Sequence, residues 1–212
     1  MTRILKKPEE RKAEILNVAA ELFQTKGYEA TTTADILEKA GIARGTLYYY
    51  FKSKDEVMDA VIERRIDEQI RNLMPIVQDS QCNALEKLKR IIYENRKMNA
   101  DNEEMVDYLH TPENIVMHQK SLTQAIKKYA PVLSKIIRQG VEEKLFQTEY
   151  PLELAEFLLV GMNFLLDLSI FNWSQEELKT RIHALTDILE TTLRAEKGSF
   201  EFFTEFAQEI KN

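Results

Sequence analysis

Residues 31 to 56, TTTADILEKAGIARGTLYYYFKSKDE, leave the chain few options: they read as two short helices joined by a tight turn, followed by the start of a third. Thr32 or Thr33 can cap the first helix with its hydroxyl, Ile36, Leu37 and Ala40 form its apolar side, and Gly41 supplies the left-handed residue that ends it. A second helix from about Ala43 to Phe51 sets Ala43, Leu47 and Phe51 at four-residue intervals on one side. Gly45, Thr46, Tyr48 and Tyr49 then face away. Three consecutive tyrosines, Tyr48 to Tyr50, are hard to place in a core. A phenol joins an apolar ring to a hydroxyl that can bond a phosphate oxygen or a base edge, and Gly45 allows close approach to a backbone. The stretch is a helix-turn-helix pattern, with Thr32, Thr33, Arg44, Gly45, Thr46, Tyr48, Tyr49, Tyr50 and Lys54 as candidate DNA contacts.

A family resemblance rests on the same residues. Gly27-Tyr28, Thr31-Thr32-Thr33, Ile36, Ala40-Gly41-Ile42, Gly45-Thr46-Leu47-Tyr48, Tyr50-Phe51 and Ser53-Lys54-Asp55 together resemble the signature of the tetracycline-repressor family. One glycine-turn pair is weak evidence; more than a dozen positions in register over about thirty residues is specific. The match covers the first quarter of the chain. Leu37 stands where the family usually has alanine, which implies altered helix packing. Ala43 stands where a serine or threonine usually caps the recognition helix, which implies a weaker cap.

Composition bears on the remaining 158 residues. Among 212 residues, six glycines and five prolines leave few breaks, and the stretches rich in Leu, Glu, Lys and Ala have helical periodicity, so the expected fold class is all-α. The net charge of −6 is unevenly shared: residues 1–54 carry 10 Lys and Arg against 7 Asp and Glu, and residues 55–212 carry 19 against 28. A small positive excess that includes Arg3, Lys6, Lys7, Arg44, Lys52 and Lys54 suits phosphate contact, although charged runs are often only solvated faces. Cys82 is alone, which excludes an intramolecular disulfide, and MTRILKKPEERK lacks the apolar stretch of a signal peptide. A cytoplasmic location is expected.

Along the chain, Pro8 opens a helix whose stripe Ile15, Leu16, Ala19, Leu22 and Phe23 ends at Gly27. Ser53 and Glu56 form a capping box for a long helix that runs towards Pro75. Residues 79–148 hold at least three helices, with separations near Ala100-Asp101 and Thr111-Pro112, and Pro131 predicts a kink or a break. Tyr93, Met98, Met105, Tyr108, His110, Met117, His118, Tyr129 and, beyond them, Met162 and Phe164 are adaptable or amphipathic side chains suited to a small-molecule cavity, although a helical core is the commoner place for any one of them. The resemblance raises the cavity reading, because the family generally binds an effector in this part.

Pro151 to Asn172 and Ser174 to about Lys197 read as two helices joined at Trp173. The run Phe157 to Leu166 is apolar on nearly every side but too short for a membrane span, which needs about 18 residues or more. Covering it takes a core on one side and a second subunit on another. Leu178, Ile182, Leu185 and Leu189 would complete that interface with Phe157 and Phe164, and the resemblance implies a four-helix dimer bundle here. The tail after Gly198, with Phe202, Phe203, Phe206 and Ile210, has the pattern of a short helix capping the body.

No nucleophile elbow or phosphate-binding glycine loop is present, and His110, His118, His183 and Cys82 lack the spacing of a recognised metal site. Catalytic residues, metal and cofactor are therefore all expected to be none. The expectation is a DNA-binding domain at 1–54 and a helical effector-binding and dimerising domain at 55–212. Function would be that of a ligand-responsive homodimeric repressor, released from operator DNA by an apolar or amphipathic small molecule. The alternatives are an all-helical enzyme or small-molecule carrier, or an architectural DNA-binding protein. A dry pocket of some hundreds of cubic ångströms would speak against the last.

Overall fold

The computed structural model describes residues 7–100, 110–111 and 114–209. Among these every regular element is helical. The chain forms two compact units: Met1–Glu68 with Asp101–Gln124, and Gln69–Ala100 with Ala125–Asn212. Arg3, Lys6, Met105, Tyr108, Pro112 and Ile210 lie outside the described residues.

In the first unit, α1 (Pro8–Lys26) begins with the fixed φ of proline and carries Glu9 and Glu10 at its positive end. Its inward stripe is Ile15, Leu16, Ala19 and Phe23, all buried. Gly27, at φ 90°, ends it with its N–H donating to the Phe23 carbonyl at 3.1 Å. Next, α2 (Thr33–Ala40) has Thr32 as its cap: the Asp35 N–H donates to Thr32 Oγ1 at 3.2 Å, and the Thr32 N–H donates to Asp35 Oδ2 at 2.7 Å. Gly41 closes α2 at φ 62°. In α3 (Arg44–Tyr50) the N-cap Ala43 makes no side-chain hydrogen bond, which is the weak cap its side chain implies, and Leu47 is the helix's buried residue. Phe51, Val57 and Met58 join Ile15, Phe23 and Ile36 in the buried interior. Full burial of such a side chain contributes roughly 1.5–3 kcal/mol.

The capping box at the start of α4 (Lys54–Gln78) is displaced by one residue from expectation. The Glu56 N–H donates to Ser53 Oγ at 3.1 Å, but the Glu56 carboxylate returns to the Lys52 N–H at 2.6 Å. α4 also continues past Pro75, which sits exposed near its end.

The second unit is built from the rest of α4, α5 (Ala84–Ala100), the rest of α6 (Ile115–Glu142), α7 (Pro151–Val160), α8 (Leu168–Phe171), α9 (Gln175–Leu193) and α10 (Phe202–Glu209). Its core gathers Val77, Leu88, Ile136, Ile137, Phe146, Leu189, Leu193 and Phe200. Gly140 is required by packing: a Cβ there would lie 2.1 Å from a Phe146 ring carbon.

Two sequence expectations change here. Of the kink or break expected at Pro131, the break does not occur: α6 runs through it, because it lies on the exposed side, where the carbonyl left without a partner one turn earlier can be hydrated. The expected helix from Pro151 to Asn172 is instead interrupted by a π-helical turn at Gly161–Leu165 before α8. Trp173 stabilises the interruption: its indole N–H donates to the Leu165 carbonyl at 2.8 Å, its ring stacks on Phe171, and the Arg181 guanidinium lies 3.3 Å from its centroid. The tail after Gly198 does form a helix, α10, and buries Phe202.

Candidate functional site

The outward face of α3 follows from how little of the helix is needed inside. With Leu47 buried, Tyr49 is 79% exposed and Tyr48 is 40% exposed. The Tyr49 and Tyr50 rings meet edge to face at 4.9 Å, and the Arg44 guanidinium lies 5.4 Å from the Tyr48 ring. These contacts hold the phenols in a small set of orientations while leaving two hydroxyls and a guanidinium outward. A Cβ added at Gly45 would meet nothing within 4 Å, so folding gives no reason for glycine at this position. Thr46 is half-buried, Thr33 likewise, and Thr32 is exposed but engaged as the α2 cap.

Lys54 is placed differently from a free phosphate ligand. Its ammonium donates to the carbonyls of Tyr28, at 2.8 Å, and Glu29, at 3.3 Å, and lies 4.2 Å from the Tyr28 ring centroid. Tyr28 is the hub of this corner. Its hydroxyl donates to Asp55, its ring packs on Phe23, and its N–H donates to the buried Asn114 Oδ1 at 2.8 Å. Burial, then the Asp55 carboxylate, push the phenol above its ordinary pKa, so it stays neutral. The bond from Asn114 crosses 86 residues of sequence and has no local signal. Beside α2, Lys26 donates to Asp35 at 2.7 Å, and that bond, followed by those from Thr32, holds the Asp35 carboxyl well below the usual carboxylate range.

A second site lies within the second unit. An apolar cavity of about 110 Å3 is enclosed by residues of α4, α5, α6, α7, the π turn, α9 and the tail: Leu73, Leu88, Ile91, Ile92, Asn95, Tyr129, Val132, Leu133, Ile137, Leu158, Leu159, Met162, Leu189, Leu193, Phe200 and Phe203. It is smaller than the several hundred cubic ångströms expected of an effector pocket, though close to the ~150 Å3 that accommodates benzene in an engineered apolar cavity. Of the candidate residues, Met162 and Tyr129 line it. Tyr93 is exposed, with its hydroxyl donating to Glu205 at 3.2 Å, and Met98 accepts from Asn72 Nδ2 at 3.8 Å. Met117 and His118 are buried in the first unit, where His118 meets His110 edge to face at 4.8 Å, and Phe164 turns outward. Apart from Met162, Tyr129 and Asn95, the lining is Leu, Ile, Val and Phe of the kind any core would contain.

The stripe on α9 also differs from expectation. Leu178, Ile182 and Leu189 are buried and Leu185 is half-buried, covered by Trp173, Phe203 and the core, so they are interior residues of their own unit. Within the unit, the tail and Trp173 pack over Leu178 and Ile182. The outward apolar surface is carried instead by Phe157, 79% exposed, with Val160, Phe164, Leu165, Leu168, Ile170 and, on α9, Ile188. Phe157 and Phe164 are thus both exposed.

The description "Bacterial regulatory proteins, tetR family" matches residues 15–61, and "Tetracyclin repressor-like, C-terminal domain" matches residues 97–188. The chain is 27% identical over 158 residues to the HTH-type transcriptional repressor KstR2 of Mycobacterium tuberculosis, across 73% of this chain and 78% of that protein. Its fold is similar to that of the fatty acid degradation regulator FadR from Bacillus halodurans, with a TM-score of 0.63 and 21% identity over 90% of this chain and 100% of that one. It is also similar to FadR from Bacillus subtilis, solved in complex with stearoyl-CoA, with a TM-score of 0.59 and 20% identity over 85% of this chain and 97% of that one. Among the described residues, no helix is long and apolar enough to cross a membrane.

Proposed function

Because the chain belongs to the tetracycline-repressor family of bacterial transcription regulators, we propose that it acts as a homodimeric repressor whose α3 face reads operator DNA and whose second-unit cavity admits a small apolar or amphipathic effector. The observation that carries the DNA reading is the division of α3: Leu47 inward, Gly45, Tyr48 and Tyr49 outward. Tyrosine hydroxyls and Arg44 bond phosphate oxygens or base edges, and the bare backbone at Gly45 allows close approach. A second copy covers the outward Phe157 and Phe164 surface and sets the spacing of two α3 helices, one helical turn of DNA apart, about 34–36 Å, or a compatible distance. The name of KstR2 as a repressor and the stearoyl-CoA bound by Bacillus subtilis FadR support this reading.

Release by an effector requires that the molecule favour the arrangement that does not fit DNA. A tenfold loss of operator affinity needs about 1.4 kcal/mol of such preference, and DNA must then weaken effector binding by the same factor. The test is selection of DNA fragments from a random pool by the purified protein. Enrichment of an inverted repeat, lost in a folded Tyr49→Ala variant, is the expected result. Equal retention of all sequences by both proteins would sink the assignment of α3.

A further inference from the structure

The cavity of the second unit is lined by hydrocarbon, apart from the Met162 thioether and two polar side chains, Asn95 and Tyr129. The two differ in what they have left to offer. The Tyr129 hydroxyl already donates to Gln69 Oε1 at 3.2 Å. The half-buried Asn95 amide makes no side-chain hydrogen bond among the described residues. Its amide therefore remains accessible to water or a ligand, since no buried side-chain N or O among the described residues lacks a partner, and its place in the sequence is unusual. Leu88, Ile91, Ile92 and Asn95 follow one another at helical spacing on the cavity side of α5, so an amide occupies a position where the stripe calls for another aliphatic residue. Asparagine is a poor helix former and contributes little apolar contact, so neither helix formation nor packing accounts for it.

We infer that Asn95 is the specificity-determining residue of the effector cavity, and that it recognises a neutral carbonyl, amide or hydroxyl group on an otherwise hydrocarbon ligand. This inference rests on the reading of that cavity as the effector site. An asparagine amide offers two N–H donors and one carbonyl acceptor, so it satisfies either polarity of an uncharged group. No lysine, arginine or histidine lines the cavity, so an ionised carboxylate or phosphate buried there would lose its hydration without gaining a counter-charge. The cavity thus selects for a polar group that is present and against one that is charged. At about 110 Å3 it suits a molecule or moiety of roughly one six-membered ring.

The experiment uses three probes built on one six-membered ring, cyclohexane, cyclohexanone and cyclohexanecarboxylate at pH 7, titrated into the protein. Binding is followed through the Met162 methyl and the Asn95 side-chain amide by NMR. Wild type is compared with Asn95→Leu and Asn95→Ala, each checked for helical content; the smaller variant keeps the test open if leucine disturbs folding. The quantity read is the ratio of cyclohexanone to cyclohexane affinity, which cancels the change in cavity volume shared by both probes. Loss of one neutral hydrogen bond should lower that ratio about fivefold in both variants. The Asn95 amide should shift with cyclohexanone and not with cyclohexane, and the carboxylate should bind at least tenfold more weakly than the ketone. An unchanged ratio, or carboxylate binding equal to that of the ketone, would overturn the assignment of Asn95 while leaving the cavity an effector site. Absence of any Met162 response to all three probes would overturn both.

Discussion

α3 and α7 both expose aromatic rings, and the chemistry of the two surfaces is opposite. Tyr48 and Tyr49 end in hydroxyls beside Arg44, so they remain hydrated and can exchange water for a phosphate or base. Phe157 and Phe164 have no polar end, and with Val160 and Leu165 they make a surface that gains only by leaving water. Equal exposure, 79% for both Tyr49 and Phe157, therefore predicts different partners. The tyrosine face suits a wet, highly charged polymer; the phenylalanine face suits a dry, self-complementary contact.

A charge placed on the dry face has the largest expected consequence. Phe157→Asp should leave the isolated subunit folded, since the side chain has almost no contacts to lose. It should weaken self-association by roughly 30-fold to 1,000-fold, corresponding to the 2–4 kcal/mol typical of a central interface residue. Sedimentation equilibrium checks this against Tyr49→Asp, which should associate as wild type does. Equal association of the two variants would erase the distinction between the faces.

How far these surfaces were legible in sequence depends on the range of the forces that set them. The caps at Thr32, Gly41 and Ser53 are local, and so both ends of α2 and the start of α4 could be placed from side-chain chemistry within a few residues. Ala43 as a bare cap was legible for the same reason. Leu178, Ile182 and Leu189 show where such reading stops. Their stripe has the period of an interface, but periodicity tells only that a face is covered, not by what; Trp173 and the Phe200–Phe203 tail supply the cover. The cavity was illegible in detail because Leu73, Asn95, Tyr129 and Phe200 come together from distant segments. Asn114, bonded to the Tyr28 backbone, is the same case in the first unit.

Lys54 lies at the start of α4, just beyond the wet face of α3. As a direct phosphate ligand it would release a counterion, and Lys54→Ala would lower the salt slope of DNA binding by about one unit. Its ammonium is instead engaged by the Tyr28 and Glu29 carbonyls, so its expected role is to hold the α1–α2 corner in place. Lys54→Ala should then destabilise the protein by about 1–3 kcal/mol, the range for charge-assisted hydrogen bonds, and weaken operator binding with the salt slope nearly unchanged. Operator affinity measured across a salt series, together with thermal unfolding, separates the two roles. A slope reduced by a full unit without loss of stability would return Lys54 to the list of phosphate ligands.

The smallest expected effect is also the one that most cleanly separates folding from function. Gly45 lies in the first turn of α3 with open space where a Cβ would be, and its φ is not left-handed, so Gly45→Ala meets no steric objection inside the protein. Alanine is the better helix former by up to about 1 kcal/mol, and the variant should unfold at a slightly higher temperature than wild type. On DNA the same methyl occupies the gap through which the backbone of α3 approaches the polymer, and its expected consequence there is a loss of operator affinity of about tenfold. Stability and binding should thus move in opposite directions from one added carbon. If Gly45→Ala stabilises the protein and binds operator as tightly as wild type, α3 does not approach DNA through this residue, and the wet face must be centred further along the helix, towards Tyr49.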